Sequence, residues 1–322
     1  MTISAATQAS QIISASDFVV PLPGHGDTAT RFRTLARSTR SDIAVGRMVE
    51  AHLDADAILH DILGEATGPG EFWGVWAAEP PSPVLVVTEI SGRWKLSGTK
   101  VWCSGASTCT HALVTALDGN RRRLFAVDLR QPGVEPQSGG WQNTGMAGTD
   151  TEAVTFECVP ARPVGEPGDY LDRAGFWHGG IGVAACWFGG AVKVADTLYE
   201  KAGQTSDDIM LMHLGAVDAL IAQGWAQLMN AADEIDKSPD DVVLARRRAF
   251  QLRWSIEQVA TGVLDRVARA LGPGPLARRA DHAQAVADLS VYIRQSHADR
   301  DLASLGSLVI DDGPVDPFGD LP

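Results

Sequence analysis

Apolar residues recur at two different spacings along this chain, and the spacing changes twice. Between residues 41 and 63 every fourth residue is apolar, a period typical of a helix, and Gly64 follows as a natural stop. Residues 1–30 show few periodic apolar positions and contain several prolines and glycines. We expect them to form an extended or loosely ordered lead.

From about residue 72 to 165 the pattern changes to short runs of Val, Leu, Thr and aromatic residues separated by Gly, Pro, Asn and Asp. Short runs of this kind without helical segments between them are typical of an antiparallel barrel or sandwich. Residues 92–104 are interpreted as two short strands around a Ser-Gly-Thr turn. The predicted strands are 84–88, 94–96, 100–104, 112–116, 124–129 and 153–156.

Helical periods return after residue 171. A long Gly/Ala-rich helix is predicted over 176–199, others around 217–228 and 252–267, and a fourth over roughly 280–305. The order helix, β, helix implies separate domains. The predicted domains are a short N-terminal helical region (1–70), a β-domain (71–170), a helical bundle (171–310) and a tail (311–322).

Charge and cysteine content narrow the function classes. The 322 residues carry a formal net charge of −13, which argues against nucleic acid and anionic membranes as main partners. No apolar run has the length of a membrane span and no export signal is apparent, so the protein is expected to be cytoplasmic. The four cysteines lack CxxC spacing and the histidines are scattered, so no metal site is predicted.

Two motifs within the β-region carry a family resemblance. Trp102-Cys103-Ser104 closes the second predicted strand, and Gly145-Met-Ala-Gly-Thr-Asp-Thr follows some forty residues later. Together they resemble the middle β-domain of the acyl-CoA dehydrogenase family of flavoproteins. The resemblance implies an α+β fold with a helical N-terminal region, a central antiparallel β-barrel and a C-terminal four-helix bundle. Only about seventy residues precede the β-domain here, so the N-terminal region is expected to be shortened and the acyl pocket altered.

The resemblance implies FAD as cofactor. Trp102 would pack against the flavin, and Ser104 would donate a hydrogen bond near the flavin nitrogen that accepts hydride. The segment containing Trp76, Ala77 and Ala78 stands where the family holds the flavin with a Thr-Glu-Pro sequence, so backbone contacts from it are expected. The alternative is a tryptophan in a β-core, a serine in a turn and a proline-rich loop.

The motifs that would bind the cofactor phosphates match the family less well. The family's Arg-x-x-Phe-Gly motif is missing from residues 200–208. Its glycine-rich turn is represented by Arg269, Gly272 and Gly274, and an arginine there would bind phosphate. The alternative places Arg269 on the surface of the last helical turn.

The catalytic base is the largest departure from the family. The usual glutamate has no counterpart, and its place falls near Ser296 or His297. His297 has the residue type suited to neutral acid–base chemistry, with Asp299 and Asp301 as alternative carboxylates. A histidine at a similar place occurs in the flavin-dependent monooxygenase branch of the superfamily. The alternative is a solvated, salt-bridged helix that also contains Asp288.

Three functions follow from these residues. The first is a flavin-dependent oxidoreductase acting on CH–CH groups of an acyl thioester or a related small molecule. The second is a flavin-dependent monooxygenase. The third is a non-catalytic family member that acts as a scaffold or partner subunit. The apolar bundle helices predict a homodimer or higher homo-oligomer.

Overall fold

The computed structural model describes residues 4–203 and 207–314. Residues 204–206 of the segment that lacks the Arg-x-x-Phe-Gly motif, and 315–322 of the predicted tail, lie outside this range. The helices are α1 Ala5–Ile13, α2 Thr28–Ser41, α3 Ile43–Leu63, α4 Ala174–Ala202, α5 Asp208–Lys237, α6 Val242–Leu271, α7 Pro273–Arg278, α8 Ala280–Tyr292 and α9 Asp299–Asp312.

The seven strands form one sheet that closes into a barrel. They are β1 Trp73–Trp76, β2 Leu85–Ile90, β3 Arg93–Cys103, β4 His111–Asp118, β5 Arg121–Asp128, β6 Val134–Pro136 and β7 Glu152–Val164. Neighbouring strands run β4, β2, β3, β7, β5 and back to β4, while β1 joins β4 and β6 joins β7. Most pairs are antiparallel, but β4 runs parallel to β1 and β2. The predicted β-barrel is therefore confirmed.

Strand β3 corrects the predicted hairpin. Residues 93–103 form one strand that pairs antiparallel with both β2 and β7. Gly98 (φ +121°) lies where the register with β7 shifts, so the Ser-Gly-Thr sequence forms a β-bulge rather than a turn. The reversal of the chain lies earlier, at Ser91 and Gly92, both at positive φ. A glycine at positive φ suits both structures, which is why the sequence pattern is ambiguous here.

The N-terminal region is more ordered than expected. Helix α1 begins at the N-cap Ser4 and buries Ala6 and Ala9 against the main core, so residues 1–30 are not simply an extended lead. Helix α2, after the N-cap Asp27, is an additional helix that the sequence pattern did not predict, and the predicted helix follows it as α3, whose N-cap is Asp42. Helix α3 then runs to Gly64, which adopts the left-handed conformation and ends the helix as predicted.

The C-terminal helices pack as predicted around α4. Its Gly/Ala-rich face permits close approach: a side chain at Gly189 would lie 2.2 Å from the carbonyl oxygen of Ala36 in α2. The predicted fourth helix is interrupted. Helix α8 ends at Tyr292, a 3-10 turn follows, and Ala298 (φ +46°) separates it from α9. This break turns the loop of residues 293–298 toward the β-domain.

Helix α3 joins the two halves of the molecule. Ile58 and Leu59 on one face pack against Leu113 and Leu124 of the barrel, while Val45 and neighbouring residues belong to the helical core. The inward-facing residues of the barrel form a separate hydrophobic core around Leu96. Helix α3 therefore lines the junction between the barrel and the bundle, where a site for a ligand is expected.

Helix α5 leaves an apolar face uncovered. Ile209, Leu211 and Met212 are largely exposed near its start. By length and hydropathy alone, α4 and α5 are both compatible with a membrane span, but 78% of the apolar window of α4 is buried in this fold and only 22% of that of α5. A core helix passes the same test, so this is weak evidence for a membrane, and in this fold most of the apolar window of α5 is exposed.

Candidate functional site

A cavity of about 780 Å³ lies at the junction of α3, the barrel and the loop after α8. The barrel contributes the ends of β1 and β3 and the loop before β7. Helix α3 contributes a charged wall, and the loop of residues 293–298 closes the third side. Its lining includes Arg47, Glu50, Asp54, Ala77, Ala78, Trp102, Ser104, Trp141, Met146, Thr149, Thr151, Tyr292, Arg294 and His297. This size falls within the range of small-molecule and cofactor sites.

A chain of three hydroxyl groups runs along the barrel wall of this cavity. The Thr151 hydroxyl donates to Ser104 Oγ at 3.0 Å. The hydroxyl oxygens of Thr149 and Thr151 lie 2.8 Å apart. Thr149 donates onward to the carbonyl oxygen of Met146. Because Ser104 Oγ accepts from Thr151 and has no acceptor among the described residues, its own hydrogen is available to a molecule in the cavity. Ser104 is buried, so an unused donor there is costly without a ligand.

Trp102 stands over the mouth of the cavity in a strained backbone conformation. Its φ is +61°, which is rare for a bulky residue. Although tryptophan has the largest side chain of the apolar residues, 60% of Trp102 is exposed. Its indole meets that of Trp141 edge to face, with ring centroids 6.0 Å apart. Strain combined with an exposed aromatic ring is typical of a binding position rather than of a core residue.

The three predicted residues at the end of β1 take different places. Ala77 and Ala78 line the cavity, and their small side chains leave backbone accessible to a ligand. Trp76 is buried in the barrel, where its indole N–H donates to the carbonyl oxygen of Ser104 at 2.9 Å. Trp76 therefore supports the Ser104 backbone, and the structure does not place it on the cavity wall as the sequence analysis expected.

Helix α3 presents Arg47, Glu50 and Asp54 to the cavity from successive turns. Arg47 and Glu50 form a buried ion pair at 2.6 Å. Burial raises the pKa of Glu50 despite the attraction of Arg47, and burial also raises the pKa of Asp54. Carboxyl groups with raised pKa values beside a cavity are candidates for substrate contact or proton transfer.

His297 lies in the loop after α8 and lines the cavity, as its predicted catalytic role requires. Its Nδ1 is 3.3 Å from Oδ1 of Asp301, one helical turn further on. Asp299, the predicted carboxylate, is exposed at the start of α9 and lines none of the cavities described. Of the two carboxylates predicted from the sequence, Asp301 contacts His297 and Asp299 does not.

Arg269, Gly272 and Gly274 lie apart from this cavity. The guanidinium of Arg269 pairs with Asp265 in the last turns of α6, and two thirds of its side chain is exposed. Gly272 adopts positive φ and ends α6. Within one chain, Arg269 therefore lies on the surface of the last helical turn, which is the alternative to phosphate binding. The predicted contact of these residues with a cofactor phosphate stays a prediction that needs a second subunit.

One group of possible metal ligands exists within the described residues. His25, His60 and Asp61 offer ligand atoms within 4.8 Å of one another, although their positions in the sequence do not suggest it. Asp61 is already ion-paired with Arg173. We therefore assign no metal to this cluster.

A second cavity of about 200 Å³ adjoins the first. Asp54, Tyr170, Val183 and His297 line both. The smaller cavity is enclosed mainly by α4 and α6, and its remaining lining includes Arg173, Phe176, Trp177, Gly179, Gly180, Phe250, Arg253 and Asp301. It is mostly apolar, with charged groups at its edges.

The large cavity fits an isoalloxazine ring and its side chain. It offers an aromatic side chain at its mouth, a free hydroxyl donor at Ser104 and backbone exposed by Ala77 and Ala78. These are the groups expected around an electron-accepting ring on which negative charge develops. The fit rests on Ser104 in particular, because its donor has no other use.

Several lining residues carried a signal that the sequence analysis did not use. Arg47, Glu50 and Asp54 recur at helical spacing on a helix whose other face is apolar, and such a charged stripe on a buried helix indicates a site. Thr149 and Thr151 belong to the quoted Gly-Met-Ala-Gly-Thr-Asp-Thr motif but were not assigned a role. Trp141 carried no pattern that distinguishes it from a loop residue.

Comparisons with known proteins agree with this architecture. Residues 79–159 match the family model "Acyl-CoA dehydrogenase, middle domain". The probable FMNH2-dependent monooxygenase SfnC of Pseudomonas putida is 33% identical over 91 residues, which are 27% of this chain and 22% of that protein. The matched segment thus spans about a fifth of this curated relative.

Solved structures share the whole fold at low identity. TdsC from Paenibacillus sp. A11-2, in complex with FMN and indole, has a TM-score of 0.77 at 16% identity and covers 96% of this chain and 95% of that one. Butyryl-CoA dehydrogenase from Megasphaera elsdenii has a TM-score of 0.79 at 15% identity, covering 95% and 89%. A nitrososynthase from Micromonospora carbonacea var. africana has a TM-score of 0.75 at 19% identity, covering 94% and 87%.

Proposed function

We propose that this chain, which has the acyl-CoA dehydrogenase fold and that family's middle domain, is a flavin-dependent oxidoreductase acting on a small molecule. The observation that carries the proposal is the free hydroxyl donor of Ser104, held by Thr151 in a cavity large enough for a flavin. The Trp102 indole at the same cavity mouth supports it.

The flavin, when bound, supplies the electron-transfer chemistry, and the chain supplies position and charge stabilisation. Ser104 donates a hydrogen bond at the barrel wall, where charge on the ring changes during the reaction. Thr151 fixes the direction of that donor by using the oxygen lone pair of Ser104. Trp102 would lie against the bound ring and limit the access of water to it.

His297 holds or moves the proton on the opposite side of the cavity. Its contact with Asp301 orients the ring so that Nε2 is free for a bound molecule. His297 lines both cavities, which supports a position of its imidazole between the proposed flavin and the smaller cavity. His297 is therefore the proposed acid–base residue.

Oxygen-dependent oxidation is the reaction class that the smaller cavity favours. Charged side chains at its edges, among them Asp54 and Arg253, are unfavourable neighbours for a fatty acyl chain. In such a reaction one atom of O₂ enters the substrate and the other becomes water, with two electrons and two protons from the reduced flavin. Relatives in fold include TdsC, which is a dibenzothiophene monooxygenase.

Dehydrogenation of an acyl thioester is the second candidate. It requires a base that removes a proton next to the thioester carbonyl. Glu50 and Asp54 are carboxyl groups on the cavity wall with raised pKa values, so a base is available from α3 rather than from the C-terminal bundle. Because a base is available, the thioester reaction is tested alongside the oxygen-dependent one.

FMN is the proposed form of the flavin, in place of the FAD expected from the resemblance. The adenylate half of FAD needs phosphate contacts, and the predicted ones are either missing or, like Arg269, paired elsewhere in the chain. The curated relative SfnC is named as FMNH2-dependent and the TdsC complex contains FMN. Titration with each flavin separates the two.

A homodimer is the proposed assembly. The exposed apolar residues at the start of α5 need cover, and a second copy of the chain supplies a matching surface in an isologous contact. A second copy also offers the place where Arg269 would reach a cofactor phosphate.

The reaction class is tested by loading the protein with reduced FMN without oxygen. Adding air together with small aromatic substrates is expected to give an oxygenated product and oxygen uptake above the blank. In a parallel anaerobic sample with oxidised flavin, bleaching by an acyl-CoA panel indicates the thioester reaction. If neither flavin binds, the protein is the non-catalytic scaffold of the third hypothesis.

A further inference from the structure

The smaller cavity contains a carboxylate that nothing in the protein uses. Asp54 lines both cavities, and among the described residues it has neither a hydrogen bond nor an ion pair. Gly179 of α4 permits this position, since a side chain at Gly179 would lie 2.5 Å from Oδ1 of Asp54. A partly buried carboxylate without donors is costly, and a ligand donor would offset that cost.

The arginines around Asp54 are engaged elsewhere. Arg47 pairs with Glu50, and Arg173 pairs with Asp61. Arg31 donates to the backbone carbonyl oxygens of Leu53 and Pro21. These cations offset the charge of Asp54 through space but leave its lone pairs without a donor. The acceptor is therefore directed at whatever enters the cavity.

The body of the cavity suits a flat, apolar group. Phe176 lies edge to face with Tyr170 and Trp177, at 5.4 Å and 5.1 Å, and Trp177 meets Phe250 at 5.1 Å. Val183 adds an aliphatic side. A volume of about 200 Å³ limits the occupant to one or two fused rings.

The surrounding charges argue against a charged occupant. Arg246 already lies over the rings of Trp177 and Phe250, at 5.6 Å and 5.7 Å, so these faces are not free for a ligand cation. Arg253, whose guanidinium donates to the carbonyl oxygen of Gly180, would repel a cation as well. The lining carries two carboxylates, Asp54 and Asp301, and two guanidiniums, Arg173 and Arg253, so neither sign of ligand charge is favoured overall. A neutral group with a hydrogen-bond donor remains.

We propose that the smaller cavity is a recognition compartment for a neutral aromatic group carrying an N–H or O–H donor, which Asp54 accepts. Its role as the substrate compartment rests on the proposed function, because it adjoins the cavity assigned to the flavin. The site commits the enzyme to small aromatic heterocycles or phenols and disfavours purely hydrocarbon rings.

The test compares indole with indene, which has nearly the same shape but no N–H donor. Binding to the purified protein without flavin is measured by calorimetry. Wild-type protein is expected to bind indole at least tenfold more tightly than indene, with one molecule per chain. Equal affinities in the wild-type protein overturn the proposal without reference to any variant.

Asp54→Leu removes the acceptor and keeps a side chain that branches at Cγ. Indole affinity is expected to fall at least tenfold, while indene binding stays the same or improves. The matched control is Asp218→Leu, at an exposed position of α5 remote from both cavities, which should leave the indole-to-indene ratio unchanged. Retention of that ratio in Asp54→Leu overturns the assignment of Asp54.

A titration with FMN accompanies each variant. If Asp54-dependent indole binding is found but no flavin binds, the compartment stands and the proposed function fails. If FMN binds but indole and indene are not distinguished, the proposed function stands and the compartment fails.

Discussion

The backbone N–H of Met146 donates to Oδ1 of Asp288 at 2.5 Å, and this bond joins the β-domain to helix α8. Gln284 donates to the same oxygen at 2.8 Å. Asp288 is buried, and burial raises the pKa of its carboxyl group. The bond thus fixes the loop that carries Thr149 and Thr151 against the segment that leads to His297.

Replacing Asp288 by Ala is expected to destabilise the fold by about 1–3 kcal/mol, because it leaves the N–H of Met146 buried without an acceptor. Urea unfolding measures the change. Asp281→Ala, at an exposed ion-paired position on the same helix, is the control and should cost less than about 1 kcal/mol. Equal costs for the two variants would show that the link between the domains is unimportant.

His297→Ala is expected to lower turnover by about a hundredfold, the usual loss on removing an acid–base residue, while flavin binding changes little. Steady-state oxygen uptake and a separate flavin titration measure the two effects. Asp301→Asn should lower turnover less, since it only weakens the orientation of the ring. The control is His25→Ala, an exposed histidine away from the cavity. Normal turnover in His297→Ala would show that His297 is a surface residue without a role in acid–base catalysis.

His52 predicts how stability depends on pH. It is buried, its Nδ1 accepts from the N–H of Trp73 at 3.3 Å, and burial lowers its pKa to about 4, against the weaker opposing charges of Asp56 and Glu71. Between pH 6.5 and 4 the unfolded chain therefore binds a proton that the folded chain does not, so the contribution to stability falls as pH falls.

From pH 7 to pH 5 this group is expected to remove about 2 kcal/mol of unfolding free energy. His52→Asn keeps an acceptor for Trp73 but cannot titrate. The variant should therefore lose about 2 kcal/mol less than the wild type over the same range in urea unfolding. If the unfolding free energies of the two proteins changed equally with pH, His52 would not be a neutral, buried group in the folded protein.

Met212→Glu tests the proposed homodimer. Met212 is 54% exposed on the apolar face of α5, and a charge there is unfavourable in a buried contact. Size-exclusion chromatography with light scattering should show a dimer or larger assembly for the wild type and a monomer for the variant. An unchanged assembly in the variant would place the interface elsewhere.

The sequence predicted the architecture better than the site. The acyl-CoA dehydrogenase resemblance on Trp102-Cys103-Ser104 is confirmed by the family match and the fold, because a β-domain motif is local in sequence. The hairpin around Gly98 was wrong because a bulge and a turn both need a glycine at positive φ. Local pattern therefore identified the β-domain but not its exact strand geometry.

The rest of the site depends on contacts across the fold. Asp301 rather than Asp299 meets His297 because four residues separate the pair, a spacing that brings side chains together at the start of a helix and that could have been used for prediction. Asp54 becomes a site residue only when α4 and α6 pack around it. The alternative of a solvated helix included Asp288, but the loop of the β-domain covers this residue. The contact between Met146 and Asp288 leaves no periodic trace in the sequence, because the two residues are 142 positions apart.

The central claim is that Trp102 and Ser104 form the wall of a flavin site, and an equilibrium titration with FMN tests it most directly. Absorbance and flavin fluorescence should show saturable binding of one FMN per chain. The affinity should fall at least tenfold in Trp102→Ala but not in Trp254→Ala, which removes an indole exposed on α6. Absence of saturable binding by oxidised or reduced FMN and FAD, or binding that Trp102→Ala and Ser104→Ala leave unchanged, would contradict the account.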